Sequence, residues 1–161
     1  MQTDKVILIA EDDLGQYLLT QRCILRAGIE NEMVGFQDGA ELLEYLDECL
    51  NSGHHNSGDF ILLLDLNMPK VDGLEVLKRI KQSCQLKDIH VIVLTASNNI
   101  DDVKHCLAYN CDDYVVKPAD DKLIEAIREA DNKLIEAITE ADNVSRQQKW
   151  HRLRDLVSGR L

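Results

Sequence analysis

The sequence predicts an α/β protein: five parallel strands in one doubly wound sheet, with an extended helix at the C-terminus. Three observations carry this. Short β-branched or Leu-rich runs alternate with amphipathic segments of helical period, the pattern of strand–helix units joined by right-handed crossovers. The run Phe60–Leu64 is apolar throughout, as a strand covered on both faces must be. Gly, Asp and Pro fall between the runs, where turns and helix caps are needed.

Val6–Ala10 forms the first strand, and a helix over about Leu14–Ala27 follows and stops at Gly28. Glu32–Phe36 is the second strand. Asp38 then caps a helix over about Gly39–Leu50, whose inner stripe is Leu42, Leu43 and Leu46. Residues 51–58 read as a polar, Gly-bearing loop in which the adjacent His54 and His55 cannot easily chelate one ion, so a solvated loop is expected. The third strand, Phe60–Asp65, leads through a loop to Gly73 and a helix over about Leu74–Gln82. His90–Thr95 is the fourth strand, Ile100–Tyr109 the fourth helix and Asp113–Lys117 the fifth strand, after which Asp120 caps the last helix.

Five residues stand at or just past strand ends: Glu11, Asp12, Asp65, Thr95 and Lys117. The carboxyl ends of parallel strands share one edge, and ligand sites lie along it. One pocket would therefore hold several carboxylates, an ammonium and a hydroxyl. Carboxylates that close repel and raise each other's pKa, a conflict that a hard divalent cation such as Mg²⁺ removes. An aspartate attacks phosphorus only where the incoming phosphoryl oxygens are neutralised, and Lys117 suits that task as a compact point charge. Taken singly, a strand-end Asp is a cap or turn former and Lys117-Pro118 an ordinary turn. The ordered set points to a site.

The segments Ile7-Leu8-Ile9-Ala10-Glu11-Asp12-Asp13, Leu63-Leu64-Asp65-Leu66-Asn67-Met68-Pro69-Lys70-Val71-Asp72-Gly73, Val93-Leu94-Thr95-Ala96-Ser97 and Tyr114-Val115-Val116-Lys117-Pro118 resemble the receiver domain of bacterial response regulators, over about Lys5–Arg128. The resemblance implies a flavodoxin-like fold and two-component signal transduction. It makes Asp65 the phosphoacceptor, supplied by a sensor histidine kinase or a phosphotransfer protein. Asp12 and Asp65 would ligate Mg²⁺ with the main-chain carbonyl of Asn67, and Glu11 would hold a metal-bound water. Thr95 would hydrogen-bond the phosphoryl group and Lys117 would pair with it. Tyr114 would rotate as Thr95 moves inward, while Asn67 and Ser97 lie where the family tunes phosphoryl lifetime. Such a protein catalyses only its own phosphorylation and dephosphorylation. The insertion at 51–58 is similar to that of small stand-alone regulators partnering phytochrome-type sensor kinases.

Two other functions compete. A phosphatase with an aspartyl nucleophile, like the haloacid-dehalogenase group, needs a carboxylate two residues after the nucleophile, and Asn67 cannot transfer that proton. A receiver-like interaction module without phosphorylation is the alternative, opposed by the competent residue type at all five positions.

At 161 residues the chain is one domain's worth with a proper core. No apolar run reaches the roughly 18 residues that span a membrane, and the N-terminus has no basic-then-apolar signal, so a cytoplasmic, membrane-free protein is expected. Cys23, Cys49, Cys84, Cys106 and Cys111 form no paired-thiol motif, and the odd count reads as reduced thiols. Cys106 and Cys111 can approach each other but read as small buried apolar residues. Residues 144–161 carry a net +4 and the remaining 143 carry −15. A body that acidic repels nucleic acid, and the basic tail is too short for a DNA-binding domain.

Residues 122–132 recur at 133–143 with only Arg128 becoming Thr139. Eleven residues are three helical turns plus about 20°, so the copy prolongs one face. The expected division is a receiver at 1–132 and a helical extension at 133–161. Leu123, Ile124 and Ile127 of the first copy should dock on the sheet. Leu134, Ile135 and Ile138, with Trp150, Leu153, Leu156 and Val157 beyond, continue the stripe. They either fold back on the domain or, as favoured, pair with a second copy in a homodimer.

Overall fold

A computed structural model describes residues 5–96 and 99–136. Among them the chain runs β1 (Val6–Ala10), α1 (Leu14–Arg26), β2 (Met33–Phe36), α2 (Gly39–Asn51), a 3₁₀ turn (Ser57–Asp59), β3 (Phe60–Leu64), α3 (Gly73–Gln82), β4 (His90–Thr95), α4 (Ile100–Ala108), β5 (Asp113–Val116) and α5 (Asp121–Glu136). All strand pairs are parallel, in the order β2-β1-β3-β4-β5. This is the predicted doubly wound sheet.

Strand side chains alternate between faces. Leu8 and Ala10, Leu62 and Leu64, and Val91 and Val93 join Leu42 and Leu46 of α2, Val76, Leu77 and Ile80 of α3 and Val103 of α4 in one core. Ile7 and Ile9, Ile61 and Leu63, and Ile92 and Leu94 join Ile24 of α1 and Leu123 and Ile127 of α5 in the other. Burial on both sides is why β1 and β3 are apolar at every position.

Caps set the helix starts. Asp13, Asp38 and Asp72 accept from Gln16, Glu41 and Glu75 N–H groups, at 2.9, 2.8 and 2.9 Å. Asp120 accepts from Lys122 N–H at 3.0 Å. Because Asp72 is a cap, α3 begins at Gly73, one residue before its apolar stripe. The segment 51–58 is exposed at six of its eight residues, as expected, and is held in place at its end. Ser57 is buried, Asn56 N–H donates to Asp59 Oδ2 at 2.9 Å, and the His55 ring lies 5.4 Å from that of Phe60.

The first repeat copy docks on the sheet: Leu123, Ile124 and Ile127 are buried, and Lys5 Nζ donates to Ala130 O at 3.0 Å. The pairing expected of Ile138, Trp150, Leu153, Leu156 and Val157 lies outside the described residues, as does Ser97. Among the described residues no helix is long and apolar enough to cross a membrane.

Lys81 fastens the far end of the sheet. Its Nζ reaches Asp112 Oδ2 at 2.7 Å and Ile89 O at 2.8 Å, and the same Asp112 oxygen accepts from Val91 N–H at 2.8 Å. Its side chain is only 10% exposed. Lys81→Met leaves a largely buried carboxylate without its cation, which is expected to destabilise the protein by about 3 kcal/mol. Thermal unfolding should show the midpoint falling by about 10 °C.

Candidate functional site

The site is built where the strand order reverses, at the carboxyl ends of β1 and β3. Main-chain pairing continues one residue past the strands and fixes the residues that follow. Glu11 N–H donates to Phe36 O at 2.9 Å, Asp65 N–H to Ala10 O at 3.1 Å and Lys117 N–H to Thr95 O at 2.8 Å. The Lys117–Pro118 peptide is cis.

The sheet thus brings together what the sequence spreads over more than a hundred residues. One oxygen each of Glu11, Asp12 and Asp65 lies within 4.8 Å of the others. Glu11 and Asp65 are buried, whereas Asp12 is exposed. Lys117 Nζ hydrogen-bonds Glu11 Oε2 and stands 3.1 Å from Asp65 Oδ2. Asn67 N–H donates to the other oxygen of Asp65 at 3.1 Å, and Asp13 N–H to Glu11 Oε1 at 3.1 Å. Thr95 is fully buried at the end of β4. Tyr114 is buried lower on β5, in the apolar cluster with Val103 and Cys106.

The electrostatics follow from burial. Desolvation raises the Glu11 pKa, and the Asp65 charge adds to it against the bonds from Lys117 and Asp13. Burial alone would lower the Lys117 pKa, but the bond to Glu11 and the Asp65 charge outweigh it, so the net shift is upward and the ammonium is retained. Burial also raises the Tyr114 phenol above its ordinary range. One ammonium thus faces the two buried members of a carboxylate trio. A trio this close, with one exposed and two buried members, fits a divalent cation. Among the described residues it is the one His, Cys, Asp and Glu group with that geometry.

One feature had no local signal in the sequence, and a second had one. The ion pair between Lys117 and Glu11 spans 106 residues, and only the assembled sheet edge creates it. Gly39 and Gly73 bracket the loop after Asp65: a Cβ on Gly39 would lie 2.5 Å from Val71 O, and one on Gly73 2.3 Å from Asp65 O. Their signal was present, since each directly follows an Asp that caps a helix.

Fold and site together define a phosphoacceptor signalling domain with a divalent-metal pocket. The chain belongs to the response regulator receiver domain family, whose model matches residues 7–128. It is 42% identical over 112 residues to the response regulator Rcp1 of Synechocystis sp. strain PCC 6803, covering 66% of this chain and 74% of that protein. Two solved structures are similar. The bacteriophytochrome response regulator AtBRR aligns with a TM-score of 0.69 and 33% identity, over 80% of this chain and 93% of that one. The Mn(2+)-bound form of Rcp1 aligns with a TM-score of 0.62 and 33% identity, over 83% and 92%. The protein is therefore a response regulator of two-component signal transduction, which implies a kinase or phosphotransfer partner.

Proposed function

We propose that Asp65 accepts a phosphoryl group from a phosphohistidine, on a sensor histidine kinase or a phosphotransfer protein, in a Mg²⁺-dependent reaction. The observation that carries this is the placement of Asp65: its carboxylate joins the metal-fitting trio and lies 3.1 Å from Lys117 Nζ. Asp12, Asp65 and the Asn67 carbonyl would hold Mg²⁺, with Glu11 on a bound water, and the ion would neutralise phosphoryl oxygens. Asp65 Oδ attacks phosphorus as the bond to the donor nitrogen breaks. Lys117 binds the charge that builds on the transferred group, and the Asn67 N–H steadies the carboxylate during attack. The site catalyses only this self-phosphorylation and its reversal.

The output is a surface change. The new charge and acceptor oxygens draw the Thr95 hydroxyl inward, and Tyr114 turns into the space vacated, remodelling the face of α4, β5 and α5. The receiver is assigned to 1–132 and the extension to 133–161, through which a homodimer would form. The setting is cytoplasmic, and the acidic body opposes nucleic-acid binding.

Metal dependence tests the reading. Asp12→Ala removes the exposed member of the trio and is expected to weaken Mg²⁺ binding, measured by titration calorimetry, by about 10-fold or more. Folding should be unchanged, since the Asp12 side chain is solvent-facing. Unaltered Mg²⁺ affinity would remove Asp12 from the metal site.

A further inference from the structure

α1 and α4 end in the same main-chain motif. The residue after each C-cap takes a left-handed conformation, Gly28 at φ 80 and Asn110 at φ 62. Its N–H returns to the carbonyl three residues back, Gly28 to Leu25 at 3.0 Å and Asn110 to Leu107 at 3.1 Å. The next N–H returns five back, Ile29 to Ile24 at 3.4 Å and Cys111 to Cys106 at 3.0 Å. This closure brings the side chains five apart into contact. At the end of α1 the facing pair is Ile24 and Ile29, an ordinary apolar contact. At the end of α4 the facing pair is two thiols.

Cys106 is fully buried and Cys111 is 4% exposed, and both lie in the apolar cluster that holds Tyr114. The neighbouring Cys106 thiol, together with burial, pushes the Cys111 thiol far above its ordinary range. A direct main-chain bond between the two residues holds their Cα atoms close. That is the first requirement of a disulfide, in which those atoms stand about 4.4–6.8 Å apart.

We infer that Cys106 and Cys111 are a built-in dithiol that closes to an intrachain disulfide when the protein meets a small-molecule disulfide, clamping the end of α4 to the start of β5. One thiol loses its proton and attacks a sulfur of the reagent, forming a mixed disulfide and expelling one reagent thiolate. The second protein thiolate attacks the protein sulfur of that bond, forms the Cys106–Cys111 bond and expels the other. Two electrons pass to the reagent, and the two protons leave with its two thiols. Burial beside Cys106 keeps Cys111 a thiol at neutral pH, so closure proceeds at the rate at which the last turn of α4 opens. The exposed Cys84 reacts earlier, but none of the other cysteines is held across such a closure. The clamp would fasten α4 to the strand carrying Tyr114, the face expected to move on phosphorylation.

The test uses the full chain and oxidised glutathione, followed by denaturation, alkylation and chymotryptic digestion. Cleavage after Leu107 and Tyr109 separates the two cysteines. The expected result is a Cys106 peptide and a Cys111 peptide joined by a bond that reductant breaks, absent in Cys111→Ala. Amide hydrogen exchange over residues 107–111 should be slower in the oxidised protein by about 10-fold or more, as the helix end no longer frays. Asp65→Asn should close the same bond, which separates this inference from the phosphorylation reading. Recovery of Cys106 and Cys111 fully alkylated, while Cys84 carries glutathione, would overturn it.

Discussion

Lys117→Met is expected to slow phosphoryl uptake from acetyl phosphate by about 100-fold or more while tightening Mg²⁺ binding by about 10-fold. The opposite directions follow from one geometry. Nζ hydrogen-bonds Glu11 and lies 3.1 Å from Asp65 Oδ2, so the ammonium occupies oxygens that a metal also uses. Removing it relieves cation–cation repulsion and frees the carboxylates, which favours the ion. It also removes the positive charge that meets the phosphoryl oxygens as they approach Asp65, which disfavours transfer. Without metal, the variant keeps Glu11 and Asp65 buried beside each other with no cation, so it should unfold at lower temperature. Mg²⁺ at about 100 times its Kd adds roughly 2.7 kcal/mol and should restore much of that loss. Acetyl phosphate kinetics and a Mg²⁺ titration on the same preparation check both. A variant that lost metal affinity and kept its phosphorylation rate would contradict the assignment.

Gly73→Ala should be nearly as damaging, although Gly73 contributes no side chain to the site. Its backbone is not left-handed, so the requirement is space. A Cβ there would sit 2.3 Å from the carbonyl oxygen of Asp65 and 2.5 Å from Leu66 Cα. Both are main-chain atoms that cannot rotate away. Gly73 N–H also closes the loop by donating to Leu66 O at 2.9 Å. Relief requires either that Asp65 shifts or that α3 withdraws, and α3 buries Val76, Leu77 and Ile80 completely. The expected loss of stability is about 3 kcal/mol. The expected loss in phosphorylation rate is about 100-fold, because small displacements of a reacting carboxylate are that consequential. Gly58→Ala is the control, since nothing lies within 4 Å of a Cβ there. Urea unfolding and phosphorylation rates report the two effects, and a Gly73→Ala protein with natural values for both would refute the packing argument.

What the sequence revealed and what it hid divide along the range of the interactions. The strands were legible because period, β-branching and capping aspartates act within a few residues. Glu11, Asp65, Thr95 and Lys117 were legible because each sits where a strand run stops, and parallel strands share their carboxyl edge. The boundaries moved by a residue where a cap outranked the apolar pattern, as at Asp72 and Gly73. The Ser57–Asp59 turn was hidden because a reciprocal Asn56 and Asp59 contact orders a segment whose composition reads as loop. Lys81, Asp112 and the Lys117–Glu11 pair were hidden for a different reason: their partners are 31 and 106 residues apart, so no local pattern can announce them. Cys106 and Cys111 fall between these cases. Their approach was foreseeable, but that a left-handed Asn110 turns them face to face required the main chain.

The central claim is that Asp65 is the phosphoacceptor and that the reaction needs Mg²⁺. Its most direct test is the intact mass of the protein after incubation with acetyl phosphate and Mg²⁺, beside Asp65→Asn and a chelated sample. The account predicts the gain of one phosphoryl group in the natural protein, and no gain in the other two. Phosphorylation that persists in Asp65→Asn, or without metal, would contradict it, as would a folded, Mg²⁺-bound natural protein that gains nothing.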